Sequence, residues 1–116
     1  MVRKVASLAF FVASLVACSR TPAPPDLAGL ASAAPVVLAS HQSGELLASQ
    51  WPAAIARLKP ERVYATSDGL YVVTSSFFVE ERGLFVPRSA SFTSQPGTDP
   101  SYTSIGPGVF SYRIKG

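Results

Sequence analysis

The hydrophobic positions change character along the chain. From Val5 to Val16 they are almost continuous, broken only by Ser7 and Ser14, behind a short basic start at Arg3 and Lys4. Residues 19–35 then turn to Pro, Ala and Ser, and Thr21 to Pro25 favours extended polyproline geometry because each proline fixes φ and removes a donor. A brief apolar run, Val36-Val37-Leu38, suggests a short strand or an apolar end to that linker, and His41 to Gly44 interrupts it. Between Glu45 and Lys59, Trp51, Ile55 and Leu58 recur at helical spacing, and Leu47 and Ala54 extend the stripe. Ser49 is placed to cap this helix, Pro52 falls in its first turn, Arg57 and Lys59 suit its C-terminal dipole, and Pro60 ends it. Trp51 reads as a core anchor on that stripe rather than a stacking platform for a ligand.

Beyond Pro60 the pattern is β. Arg62–Thr66 and Leu70–Val79 are rich in Val, Tyr, Thr and Phe, with Asp68-Gly69 between them as a hairpin signal. Tyr71, Val73, Phe77 and Val79 fall on one face of the second strand, together with Ser75. Glu80-Glu81-Arg82-Gly83 reads as a polar turn, with both glutamates solvated rather than an acid/base pair, since adjacent strand residues point to opposite faces, and Leu84-Phe85-Val86 as a returning strand ended by Pro87. Arg88–Gly108 is a long polar stretch with repeated turn chemistry and Phe92 as its early apolar anchor. It reads either as a mobile insertion or as a partner-contact surface centred on Asp99 and Tyr102. At the end Phe110, Tyr112 and Ile114 alternate with Ser111, Arg113 and Lys115, a half-buried strand.

These patterns predict an α+β chain: one short helix packed on a small antiparallel β-sheet of roughly three to four strands. A signal helix and a Pro/Ala-rich tether precede it. The expected divisions are 1–17 for the signal, 18–40 for the anchor and linker, and 41–116 for the folded domain.

The basic start, apolar run and small-residue exit match an export signal, and the run is short of the roughly 20 apolar residues that a permanent spanning helix needs. The apolar run ends in Leu15-Val16-Ala17-Cys18, and Cys18 is the sole cysteine. This segment resembles the lipobox of bacterial lipoprotein precursors: an aliphatic residue, a tolerant position, a small residue and a cysteine. The resemblance implies cleavage before Cys18, a diacylglycerol thioether on its sulfur, and acylation of its new amine. The implied partner is a lipid bilayer. Ser19, rather than the aspartate that family uses for inner-membrane retention, implies the outer membrane, facing the periplasm. The stretch from Trp51 through Tyr71 to Tyr112–Gly116 resembles small, uncharacterised Gram-negative lipoproteins, a likeness that implies no activity.

Composition narrows the function classes. The formal charge is +3, but without Arg3 and Lys4 there remain 8 basic against 7 acidic side chains, and no basic stripe marks a nucleic-acid partner. A lipidated Cys18 leaves no thiol for a disulfide. His41 is the single histidine, lacks partners at catalytic or metal-ligand spacing, and reads as a solvated loop side chain. No phosphate-cradling glycine loop or Gly-x-Ser-x-Gly elbow occurs. The expectation is a membrane-anchored, non-catalytic binding or accessory module of the envelope, without cofactor or metal. Its partner would be an envelope protein or a cell-wall component. The alternative is an immunity or inhibitor protein against a secreted toxin or hydrolase, with a small envelope enzyme ranked behind both.

Overall fold

In a computed structural model, residues 23–94 and 97–116 are described. The signal segment and Leu15, Val16, Ala17 and Cys18 lie outside them. The chain is α+β: a long helix, α1 (Pro24–Ser40), packs on a six-stranded antiparallel sheet. The strands are β1 (Gly44–Leu46), β2 (Arg62–Ala65), β3 (Gly69–Phe77), β4 (Glu80–Pro87), β5 (Ser101–Gly106) and β6 (Val109–Ile114). Their order across the sheet is β1-β2-β3-β4-β6-β5. The first four strands form a meander. The chain then runs out to the far edge as β5 and returns as β6 between β5 and β4.

Helix α1 replaces the expected linker over residues 24–40. Pro24 and Pro25 occupy its first turn, where a missing N–H leaves no bond unmade, and Asp26 complements the positive end of the dipole. Ala23, at φ −70° and ψ 152°, has the extended geometry expected of the proline-rich stretch. Leu27, Leu30, Ala34, Val37 and Leu38 recur at helical spacing and are buried. They pack on Val63, Ala65, Leu70, Val72, Leu84 and Val86 of the sheet. The expected strand at Val36–Leu38 is therefore the last turn of α1. Proline-rich composition argued for extension, and burial of a leucine stripe on an aliphatic sheet outweighs it.

The helix expected over 45–59 is largely absent. Gly44–Leu46 pairs with β2 as β1, residues Ala48–Gln50 make a single 3₁₀ turn that contains Ser49, and only Ala53–Ala56 is helical (α2). The break lies at Trp51-Pro52. A residue before proline is driven from helical geometry, and Trp51 adopts φ −74°, ψ 128°. Trp51, Ile55 and Leu58 still pack into the aliphatic core, as the stripe predicts.

The sheet holds more strands than expected because the long polar stretch contains β5. The β2–β3 hairpin forms around Asp68-Gly69, with the Thr66 hydroxyl accepting the Asp68 N–H at 3.1 Å. A Cβ at Gly69 would overlap the Val86 carbonyl, and one at Gly83 the Val72 carbonyl, so both glycines permit close strand contact. The β3–β4 turn is not Glu80–Gly83. Phe77 pairs with Glu80, so Phe78 and Val79 make the turn and the glutamates belong to β4.

Arg88 joins helix to sheet. Its guanidinium donates to the carbonyls of Leu38, His41, Gln42 and Thr66 at 2.8–3.0 Å. No basic residue lies in the last turn of α1, so Arg88 supplies the positive charge there from the end of β4. Because Leu30 is wholly buried, Leu30→Ala is expected to cost about 2–5 kcal/mol, read as a lowered urea midpoint. A mere tether at this position would leave the midpoint unmoved.

Candidate functional site

Strand alternation gives the sheet two unlike faces. The aliphatic face lies under α1. The other is aromatic: Tyr71, Phe85 and Tyr112 are buried there, with Tyr64, Phe92, Tyr102, Phe110 and Ile114 packed around them. Tyr64 stacks on Tyr71 at 5.0 Å between ring centroids, and Tyr112 meets Tyr71 edge-on at 4.9 Å. Phe92, from the segment after β4, lies against Phe85, Tyr102 and Phe110 at 5.1–5.2 Å. Its expected role as the apolar anchor of that segment is thus met.

Glu81 closes the aromatic face. One carboxylate oxygen accepts the hydroxyls of Tyr64 at 2.6 Å and Tyr112 at 2.7 Å, and the other accepts from Arg62 at 3.3 Å. Glu80, its neighbour in sequence, points to the opposite face and bonds Arg82 at 2.7 Å and Arg113 at 3.0 Å. The two glutamates are therefore paired groups rather than free turn charges. Opposite orientation of adjacent strand residues, the ground for refusing them an acid/base role, holds. The arginines beside Glu80, Arg82 above all, hold its carboxyl below the usual range.

Burial, followed by the bond to Glu81, pushes the Tyr64 and Tyr112 hydroxyls above their ordinary range. Burial and a 2.7 Å bond to Tyr102 do the same for Tyr71. Tyr102, expected at the centre of a contact surface, is half-buried on β5 and its hydroxyl is held by Tyr71. Asp99 is exposed and accepts the Lys115 N–H at 2.8 Å. The two sit at opposite ends of a short run, one tying the C-terminal strand and the other the aromatic cluster. His41 caps the end of α1 and is half-buried, with Nδ1 3.2 Å from the Val37 carbonyl, so the expected solvated loop position is only partly kept.

Among the described residues, three surfaces stand out as open to a partner. The first is the outer edge of β5, whose residues Ser101–Gly106 carry no charged side chain and no proline. Among the described residues, no backbone bond reaches that edge from outside the β5–β6 ladder. The second is a shallow concavity of about 540 Å³ on the helix-bearing face, beyond the reach of α1. Thr74, Ser101, Thr103 and Ser111 line it with hydroxyls, and Arg82 and Arg113 with guanidinium groups. Hydroxyls and guanidiniums together suit carboxylate or phosphate oxygens.

The third is the β3–β4 tip. Phe77, Phe78 and Val79 are 71%, 90% and 71% exposed, although the sequence pattern puts Phe77 and Val79 on one strand face with Tyr71 and Val73, which are buried. A register shift between Val73 and Ser75 interrupts that pattern, and β3 runs on past its last pairing with β2 at Val73. Leaving a phenylalanine in water forgoes roughly 1.5–3 kcal/mol of burial. Phe78 also holds φ 56°, a left-handed geometry costing a residue with a Cβ about 1–2 kcal/mol. Three apolar residues in succession carry a sequence signal of this, since they cannot share one strand face.

Comparison with protein-family models, with curated proteins and with solved structures found no match for this chain.

The tyrosine–glutamate cluster makes alkaline stability diagnostic. The three tyrosines ionise less readily folded than unfolded, so their contribution is intact below the ordinary value of about 10 and falls as pH rises beyond it. Urea midpoints are expected to drop steeply above about pH 10, with much of the tyrosinate absorbance appearing together with unfolding.

Proposed function

We propose that the chain is a lipid-anchored protein of the bacterial envelope, held at the outer membrane and facing the periplasm, that acts by binding a partner rather than by catalysis. The observation that carries this reading is Leu15-Val16-Ala17-Cys18 at the end of an apolar run, with a folded body starting at Pro24. Two or more acyl chains on Cys18 hold a protein firmly where one gives only marginal binding. The partner surface is the edge of β5, which carries Tyr102 and follows Asp99. An exposed strand edge offers a row of backbone donors and acceptors, and an extended segment of an envelope protein satisfies them by adding as a further strand.

Two experiments test the reading. Cys18→Ser is expected to move the protein from the membrane pellet to the soluble fraction; continued pelleting, or a wild-type mass without added acyl groups, refutes the anchor. A photo-crosslinking residue at Ser104, exposed on β5 and pointing away from the concavity, is expected to trap one envelope protein in intact cells, and the same probe at exposed Ser67 to trap none. Equal labelling at the two positions refutes the β5 edge.

A further inference from the structure

The β3–β4 tip and the arginines beside it point to a second contact, with the bilayer itself. This inference rests on the anchor reading above and adds an orientation to it. Only residues 19–23 separate Cys18 from α1, and at roughly 3.5 Å per residue they span about 20 Å when fully extended. Strand β3, with its 9 residues at about 3.3 Å each, is roughly 30 Å long. The body is thus held within its own length of the membrane.

α1 and the concavity share one face of the sheet. Leu84 packs under the helix, and Arg82, two residues along the same strand, lines the concavity. The exposed tip follows at the far end of β3. A flat surface laid against this side meets the helix at one end and Phe77, Phe78 and Val79 at the other. Between them it meets Arg82 and Arg113. Arg82 gives its Nε–H to Glu80, Arg113 pairs with the same carboxylate oxygen through its Nε at 3.0 Å, and among the described residues no partner is found for the terminal N–H groups of either. Their side chains are 56% and 45% exposed.

We propose that the protein lies on its anchoring bilayer through this side, with Phe77, Phe78 and Val79 inserted at the headgroup–acyl boundary and Arg82 and Arg113 at phosphate groups. A projecting apolar tip needs no complementary cavity in a fluid bilayer, and guanidinium groups match phosphate oxygens. The part of α1 turned to the membrane presents no charge: Ala28, Ser32, Pro35, Val36 and Ala39 are exposed, and Asp26 is the helix's one ionisable side chain. No helix among the described residues is long and apolar enough to cross a membrane. This orientation turns the aromatic face away from the bilayer and leaves the β5 edge open at the side.

The test uses full-length, lipidated protein in vesicles of phosphatidylethanolamine and phosphatidylglycerol with brominated acyl chains. Phe78→Trp and, as a second variant, Phe77→Trp are expected to lose most of the added tryptophan emission to bromine quenching, relative to wild type carrying Trp51 alone. Ser104→Trp, exposed on the opposite face, is expected to keep its emission. Equal quenching at positions 77, 78 and 104, or quenching at none of them, overturns the orientation. A chain that fails to float with vesicles and whose intact mass lacks acyl groups overturns the anchor reading as well. Intact mass therefore separates the two failures.

Discussion

Burial of the sheet's aliphatic face beneath α1 is the constraint on which the rest of the molecule depends. Val63, Ala65, Leu70, Val72, Leu84 and Val86 come from three separate strands and have no other large apolar surface to meet. An antiparallel sheet with one face in water needs the other face covered. The helix supplies Leu27, Leu30, Ala34, Val37 and Leu38, and α2 adds Ile55 at its flank. Helix propensity alone would not hold this segment, with two prolines at its start and Pro35 inside it. Packing onto the sheet makes the helix, and Arg88 secures its end through carbonyls of the helix, the following turn and the β2–β3 hairpin.

The opposite face is stabilised by different chemistry. Rings cannot interleave as aliphatic side chains do, so Tyr64, Tyr71, Phe85, Phe92, Tyr102 and Tyr112 meet by stacking and edge contacts. Their hydroxyls need partners once half-buried. Tyr71 and Tyr102 satisfy each other, while Tyr64 and Tyr112 converge on Glu81. Because this face is largely sealed by its own groups and by Phe92, it offers little to a ligand. Binding capacity falls instead to what the two packed faces leave over: the β5 edge, the hydroxyl- and arginine-lined hollow beyond α1, and the apolar tip.

The tether and the body are connected physically. An extended linker through residue 35 would let the domain explore space far from the membrane. With α1 starting at Pro24, the residues free to extend after Cys18 are few, and the domain becomes a juxtamembrane one in the proposed function. Its orientation then matters, and exposed groups that are unfavourable in water, Phe77, Phe78 and Val79, acquire a physical reason to be there.

Much of this was legible from local pattern. Period-two alternation marked β6, the Asp68-Gly69 hairpin followed from turn chemistry, and the Trp51, Ile55, Leu58 stripe correctly named core residues even where the helix itself broke. The chemistry of the anchor segment is a reading of sequence alone. Tertiary structure decided the helix at 24–40, because prolines that argue for extension are outweighed only when a leucine stripe finds a sheet to cover. It also decided the strand within residues 88–108, since Ser101–Gly106 gains its hydrogen bonds from β6, a partner that composition does not reveal. The Glu81 cluster and the exposed tip have the same origin: pairing register sets which side chains meet, and a single shift beside Val73 redirects those beyond it.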